Sequence, residues 1–320
     1  MMRRFACLAA LALAAQAATA ERLMLATWNL EWMMLPATFD ELAEQCLPSG
    51  VRARGSDRAI PCNIVPVGRW DSGDLARLAD FAGRVRADVF ALQEIDGAEV
   101  AARIFPEHGF CFTRRRHVQN VGFAIRRGIP FRCNRDYREL GLEDNDVRWG
   151  ADVSLYPGTA REIRLLAVHL KSACNREVLT DSRRDCRILQ AQVPVLEAWI
   201  DRRAREGVAF AVIGDFNRQF DREHDSARDG KNRIRAMWPE LDDGEPAGAD
   251  LVNAGADAGF IICNNGEQAR LAIDHFVLGR RLARRLVPES FRDWNYRGSG
   301  RWPDHCLLSI EVELEARDGV

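Results

Sequence analysis

Acids, amides and histidines stand at the ends of the apolar runs of this chain. Leu25-Ala26-Thr27-Trp28 ends on Asn29, Val89-Phe90-Ala91-Leu92 on Gln93-Glu94, and Leu165-Leu166-Ala167-Val168 on His169. Phe210-Ala211-Val212-Ile213-Gly214 ends on Asp215-Phe216-Asn217, and Leu271-Ala272-Ile273 on Asp274-His275. Asp304-His305 stands just before the last apolar run. Carboxylates offer hard oxygens to divalent cations. Imidazoles carry protons near neutral pH, and amides hydrogen-bond to anions. Burying such groups is costly unless they are paired or put to work. Their repetition along the chain predicts one site assembled from many strand ends.

The elements that must position them are legible in outline. Apolar runs near 22–29, 88–93, 121–126, 150–155, 162–170, 208–214, 271–278 and 306–313 read as buried strands. Asp71-Ser72 can cap a helix that runs through Arg86. A second helix is expected from about Thr180 to Arg205, with Leu189, Val193, Leu196 and Ile200 at helical spacing. Pro194 either kinks that helix or marks its start. Segment 36–70, rich in Pro, Gly and Arg, reads as a long loop tied by a disulfide. Segment 218–256, rich in Asp, Gly and Ala, reads as a surface insertion. Strands in both halves, with helices between only some of them, suggest a mixed-sheet α/β sandwich. The 320 residues, 47% of them hydrophobic, suffice for a sizeable core.

The first twenty residues read as a signal peptide. Arg3-Arg4 is a positive n-region, Leu8 to Ala15 an apolar h-region too short to span a bilayer, and Ala18-Thr19-Ala20 a cleavage motif. A mature chain beginning at Glu21 is then periplasmic or secreted, without stable membrane insertion. Cleavage moves the formal charge from −2 to −4 by removing Arg3 and Arg4. Net charge therefore excludes a general polyanion binder. Nine cysteines, less Cys7, leave an even set in an exported chain, which favours disulfides. Neighbours along the chain are the expected partners: Cys46 with Cys62, Cys111 with Cys133, Cys174 with Cys186, and Cys263 with Cys306. A cysteine-rich zinc site is disfavoured, since no Cys-x-x-Cys pair occurs.

Trp28-Asn29-Leu30-Glu31-Trp32, Leu92-Gln93-Glu94-Ile95, His169-Leu170-Lys171-Ser172, Gly214-Asp215-Phe216-Asn217, Ile273-Asp274-His275 and Asp304-His305 occur in that order. This series resembles the endonuclease/exonuclease/phosphatase superfamily across nearly all of residues 21–320. The resemblance implies one α/β domain over 21–320: a four-layer α/β sandwich of two packed mixed β-sheets flanked by helices. It also implies metal-dependent hydrolysis of a phosphate ester. Asn29, Glu94 and Asp304 are then the metal side, with Mg²⁺ the expected cofactor and Mn²⁺ or Ca²⁺ as alternatives. Asp215 aligns or deprotonates the attacking water, and Asn217 hydrogen-bonds the phosphate as charge develops. His305 is the expected general base, oriented by Asp274. His169 contacts the scissile phosphate or protonates the leaving oxygen. His275, which shares a strand with Asp274, is given no role.

Arg148 and Asn120 are the expected substrate contacts. A surface ion pair is the alternative for Arg148. The run Arg114-Arg115-Arg116-His117 suits a nucleic-acid backbone, or is a solvated loop. Trp294, Tyr296 and Trp302 suit stacking on a base or head group, or core and lid packing. The leading expectation is an exported monomeric nuclease acting on DNA, and on RNA as a further substrate, with no protein partner. A sphingomyelinase-like or small-molecule phosphodiesterase comes second. A non-enzymatic binding module on the same fold comes last, because none of the site positions is missing.

Overall fold

The computed structural model describes residues 21–46, 58–142, 147–246, 249–256, 260–261, 263 and 270–315. The expected signal peptide at 1–20 lies outside the described residues. The chain runs β1 (Arg22–Met33), α1 (Pro36–Ala43), α2 (Ser72–Val85), β2 (Val89–Ile95), α3 (Ala98–Ile104), β3 (His108–Phe112), β4 (Asn120–Arg126), β5 (Phe131–Cys133), β6 (Ala151–Leu155) and β7 (Ile163–His169). It continues with α4 (Arg184–Glu206), β8 (Ala209–Asp215), α5 (Trp238–Leu241), β9 (Leu251–Asn253), β10 (Phe260–Ile261), β11 (Arg270–Leu271), β12 (Asp274–Gly279), α6 (Arg280–Ala283), β13 (Arg292–Trp294) and β14 (Leu307–Glu313).

Two six-stranded mixed sheets result, in the orders β13-β14-β1-β2-β4-β3 and β5-β6-β7-β8-β12-β9. Each holds one parallel pair at its centre, β1 with β2 and β7 with β8. A parallel pair needs a long crossover, and α2 and α4 lie within those crossovers. Asp71 and Asp74 cap α2 reciprocally, each side chain accepting the other's backbone N–H, at 2.8 and 3.1 Å. Arg86 closes the helix in the left-handed conformation. Leu75, Leu78, Phe81 and Val85 of α2 are buried in one cluster with β1 and β2.

The inner strands of the second sheet, β6, β7, β8 and β12, are buried on both faces, which is why they read as continuous apolar runs. Ile163, Leu165 and Ala167 of β7 join the cluster shared with the first sheet. Leu166 and Val168 join the cluster built on α4. In β8, Ala209, Ala211 and Ile213 face inward while Phe210 and Val212 face α4. Helix, sheet, sheet, helix is therefore the layer order, as expected.

All eight expected strands are present, and so are all four expected disulfides. Cys111–Cys133 joins β3 to β5 and so bridges the two sheets. Helix α4 starts at Arg184 and runs through Pro194, so that proline does not mark its start. Two segments differ from expectation. Segment 36–70 holds α1, and Phe39, Leu42 and Ile60 pack with Met34 and Val118 into a small core. Segment 218–256 is no surface insertion. Phe220, Ile234, Met237, Leu241 and Leu251 are buried with the α4 cluster. Their wide spacing among Asp and Gly hides them from a periodicity reading.

Gly214 sets the end of β8. Its φ is +139°, and a Cβ there would stand 2.2 Å from the Val168 carbonyl oxygen of the paired strand. Only glycine tolerates both conditions. Gly214→Ala is expected to cost about 2–4 kcal/mol of stability, read by urea unfolding. A loss within measurement error would disprove this steric account.

Candidate active site

The topology brings the polar strand ends to one edge. β1, β2, β7 and β8 finish there, and β12 begins there. Parallel pairing sets His169 beside Asp215, and antiparallel pairing sets Asp274 on its other flank. Period-2 alternation continues the inward positions 163, 165, 167 to His169, and 209, 211, 213 to Asp215. Asp274 shares parity with inward Phe276 and Leu278. All three side chains therefore enter the space between the sheets. His275 has the opposite parity. Its Nε2 donates to the Arg218 carbonyl at 2.7 Å, its ring stacks on Phe220 at 4.0 Å, and burial pushes its pKa down to about 4. It is a core residue.

The first sheet supplies the other wall. Trp28 packs on Phe81 of α2, so Asn29 faces inward. Glu94 breaks the rule of parity. Phe90 packs on Phe105 beside α3, and Glu94 shares its parity. Yet Glu94 lies 3.4 Å from Asn29 Nδ2 and 3.7 Å from His169 Nε2. Its φ of +55°, at a slip in register with both neighbouring strands, turns the side chain back into the site.

Asp215 is the hub. It is 1% exposed. One oxygen accepts the Asn217 backbone N–H at 2.7 Å. The other accepts the Asn217 and Asn29 amides at 3.0 and 3.2 Å and lies 3.4 Å from His169 Nε2. Asn217 sits at φ +52°, and its amide also reaches the Leu170 carbonyl at 3.2 Å. His305 Nδ1 meets Asp274 at 2.6 Å, and its Nε2 faces Asp215 at 3.9 Å.

These contacts set the charges. Burial alone would lower the His305 pKa, but the Asp274 and Asp215 carboxylates outweigh it and raise it to about 10. Burial, reinforced by Asp274 and Glu94, holds Asp215 above the usual carboxylate range against the pull of His305. The two groups titrate as a pair. His169 goes the other way. Burial, then the nearby Arg148 and His305 cations, hold it neutral at pH 7.

The remaining expected residues fall in different places. Asp304 is exposed, and its charge, together with burial and the Glu94 charge, raises the Glu31 carboxyl against the pull of Arg301. Glu31, Glu94 and Asp304 thus form an acidic rim. Arg148 donates through Nε to the His169 carbonyl at 3.1 Å and through Nη2 to the Leu170 carbonyl. It holds the end of β7 from beneath. Asn120 bonds locally, its amide to the His117 carbonyl and its oxygen to Thr113 at 3.2 Å. Neither hydrogen-bonds a side chain of the Asp215 cluster among the described residues. Two residues escape a sequence reading of the site. Glu31 signals itself only as an acid two positions past Asn29. Tyr296 accepts from Trp28 Nε1 at 2.7 Å and donates to the His305 carbonyl, so it positions His305. It also stacks on Trp302 at 4.7 Å, so the aromatic run packs inward.

Glu31, Glu94 and Asp304 offer carboxylate oxygens, the donor type a hard divalent cation takes, but they are not among the groups of the described residues whose ligand atoms lie within 4.8 Å of one another. Asp215, Asp274 and His305 lie close enough to share an ion, but hydrogen bonds already satisfy much of that set. Cys174 and Cys186 are joined in a disulfide and offer no metal site.

No protein-family model matches the chain, and no curated protein matches it in sequence. Solved structures do match its fold. AP endonuclease LMAP from Leishmania major is 18% identical, with a TM-score of 0.55 over 91% of this chain and 88% of that one. An endonuclease/exonuclease/phosphatase family protein from Bacteroides thetaiotaomicron is 11% identical, with a TM-score of 0.54 over 93% and 100%. The 3′-5′ exonuclease from Neisseria meningitidis is 13% identical, with a TM-score of 0.50 over 91% and 100%. The chain has the fold of the endonuclease/exonuclease/phosphatase proteins.

The His305–Asp274 contact makes a pH-dependent statement. The folded pKa of His305 lies above its unfolded value of 6.5. Its contribution to stability is therefore complete below that value and is lost as pH rises through the folded pKa. Asp274→Asn is expected to lower the His305 titration midpoint by about one to three units in NMR. In chelator, the stability gap between wild type and variant should shrink as pH rises from about 6.5 towards 10. An unmoved midpoint would remove Asp274 as the cause.

Proposed function

On a fold shared with the endonuclease/exonuclease/phosphatase proteins, we propose that this chain is an exported Mg²⁺-dependent phosphodiesterase that hydrolyses nucleic acid. One observation carries the reading. Strand ends from both sheets converge on Asp215, bringing a His–Asp pair, a neutral histidine and two amides beside an acidic rim. Two fold neighbours bear the names of an AP endonuclease and a 3′-5′ exonuclease. Four disulfides suit an oxidising compartment, and among the described residues no helix is long and apolar enough to cross a membrane.

Glu94, Asp304 and Glu31 would hold the cation. Asn29 joins them if its amide turns, because its oxygen now accepts the Glu31 N–H at 3.1 Å. A bound Mg²⁺ supplies positive charge against the phosphate oxygens. The chain's own groups supply the rest. His305, in the deprotonated form that its raised pKa makes the minor one at neutral pH, takes a proton from the attacking water, and Asp274 steadies the imidazolium that forms. Asp215 orients the water. Asn217 and neutral His169 donate hydrogen bonds where oxyanion charge grows. Water's oxygen bonds to phosphorus as the ester P–O bond breaks, the leaving oxygen takes a proton from solvent, and the His305 imidazolium returns its own to solvent.

Nucleic acid is favoured by the loop 114–117. Arg115 lies near enough to His169 to depress its protonation, though burial and Arg148 weigh more. Asn120, Thr113 and buried Val118 pin that loop at both ends. Arg114 and Arg116 are exposed beside it. Such fixed cations suit successive backbone phosphates.

Glu94→Ala and His305→Ala should each lower turnover of plasmid or oligonucleotide in Mg²⁺ about 10²–10⁴-fold. Melting temperature should change little in Glu94→Ala and fall in His305→Ala, which leaves buried Asp274 without its partner, and EDTA should silence the wild type. Sphingomyelin, RNA and bis-p-nitrophenyl phosphate complete the panel. DNA and RNA left intact while a lipid or small diester is cleaved would move the substrate. No turnover of any of them across divalent metals would sink the enzyme reading.

A further inference from the structure

At the edge of the sandwich opposite His305, a second set of strand ends encloses a cavity of about 520 Å³. Its walls are the start of β1, the turn after β4, Tyr156 just beyond β6, and Arg161 just before β7. Arg22, Arg126, Arg127 and Arg161 line it, with Glu21 as the single carboxylate and Leu23, Ile129 and Pro130 as apolar wall.

The charges there do not balance. Arg161 pairs with Glu21 at 2.6 Å, Arg22 with Glu311 at 3.2 Å, and Arg126 with Asp88. Arg127 is exposed and has no carboxylate partner among the described residues. Four guanidinium groups thus face three carboxylates. Arg161 is the better anchor. Its side chain is 10% exposed, and its guanidinium lies 4.7 Å from the centre of the Tyr156 ring. Glu21 engages Nη2 only, and the buried Nε–H meets no acceptor among the described residues. A buried N–H without an acceptor is costly. The Nε and Nη groups of arginine form a rigid fork that matches phosphate oxygens.

We propose that this cavity binds a small phosphate monoester of nucleotide size. The phosphate lies between Arg127 and the Nη groups of Arg161, where Glu21 already engages Nη2. Pro130 and Tyr156 flank the organic part. Cavities of roughly 300–1,000 Å³ hold ligands of this size. Glu21 competes with the ligand for Arg161. The site is independent of the catalytic reading, since it shares no residue with the Asp215 cluster.

Calorimetry in EDTA tests it with three probes: a nucleoside 5′-monophosphate, inorganic phosphate and the uncharged nucleoside. The nucleotide should bind saturably at one site, phosphate more weakly, and the nucleoside not at all. Arg127→Gln and Arg161→Lys should each weaken nucleotide binding about tenfold, the second while keeping the charge that pairs with Glu21. Glu21→Gln should tighten binding about threefold by removing the competitor. Glu94→Ala should leave it unchanged. If Arg161→Lys fails to fold, Arg127→Gln and Glu21→Gln still decide. Absence of saturable anion binding, equal binding of the nucleoside, or affinity indifferent to the foldable variants would overturn the site. So would loss of binding in Glu94→Ala.

Discussion

A buried carboxylate must be surrounded before it can be kept, and Asp215 organises this molecule on that requirement. It sits at the join of the two sheets, and its acceptors are met by Asn29 from one sheet and Asn217 from the other. His169 and Asp274 flank it on neighbouring strands, and His305 faces it from the last turn before β14. Removing its partners would strand a charge in low dielectric. The groups that satisfy Asp215 are also the groups able to handle a phosphate and a proton, so structural need and chemical capacity coincide at one point.

The geometry around it uses two backbone devices. Where the strand period aims a residue correctly, as at His169 and Asp274, the chain runs on without distortion, whereas Asp215 follows Gly214 at φ +139°. Where it does not, at Glu94, a left-handed residue and a slip in register re-aim the side chain. Glu31 and Trp32 share that conformation at the end of β1, with φ of 48° and 54°. The acidic rim thus rests on the strained ends of the two parallel strands. The His–Asp pair rests on regular backbone and on the Trp28–Tyr296–His305 chain of hydrogen bonds.

Much of this was readable in the sequence, for a physical reason. Strands buried on both faces have uninterrupted apolar runs, so their polar ends stand out. Asn29, Glu94, His169, Asp215, Asn217, Asp274 and His305 are all such ends, and the fold brings them together. Arg148 and Asn120 were harder to read. An arginine that ties off backbone carbonyls and one that holds a phosphate look alike in sequence. Segment 218–256 misled because its few apolar residues are dispersed, and only the fold shows them meeting α4. The arginine-lined cavity has no sequence signature, since its residues come from four separate strand ends.

The pairing of β1 with β14 also sets an order of events. Arg22 reaches Glu311 across 289 positions, and the first strand finds its outer neighbour only in the last one made. His305 arrives just ahead of that strand, and Cys306 beside it closes on Cys263. Contacts of such sequence separation form late, after their loop-closure entropy is met. A chain still emerging from the ribosome therefore carries Asp215 and His169 but no His–Asp pair. Synthesis as far as His305 is the step that brings the pair together.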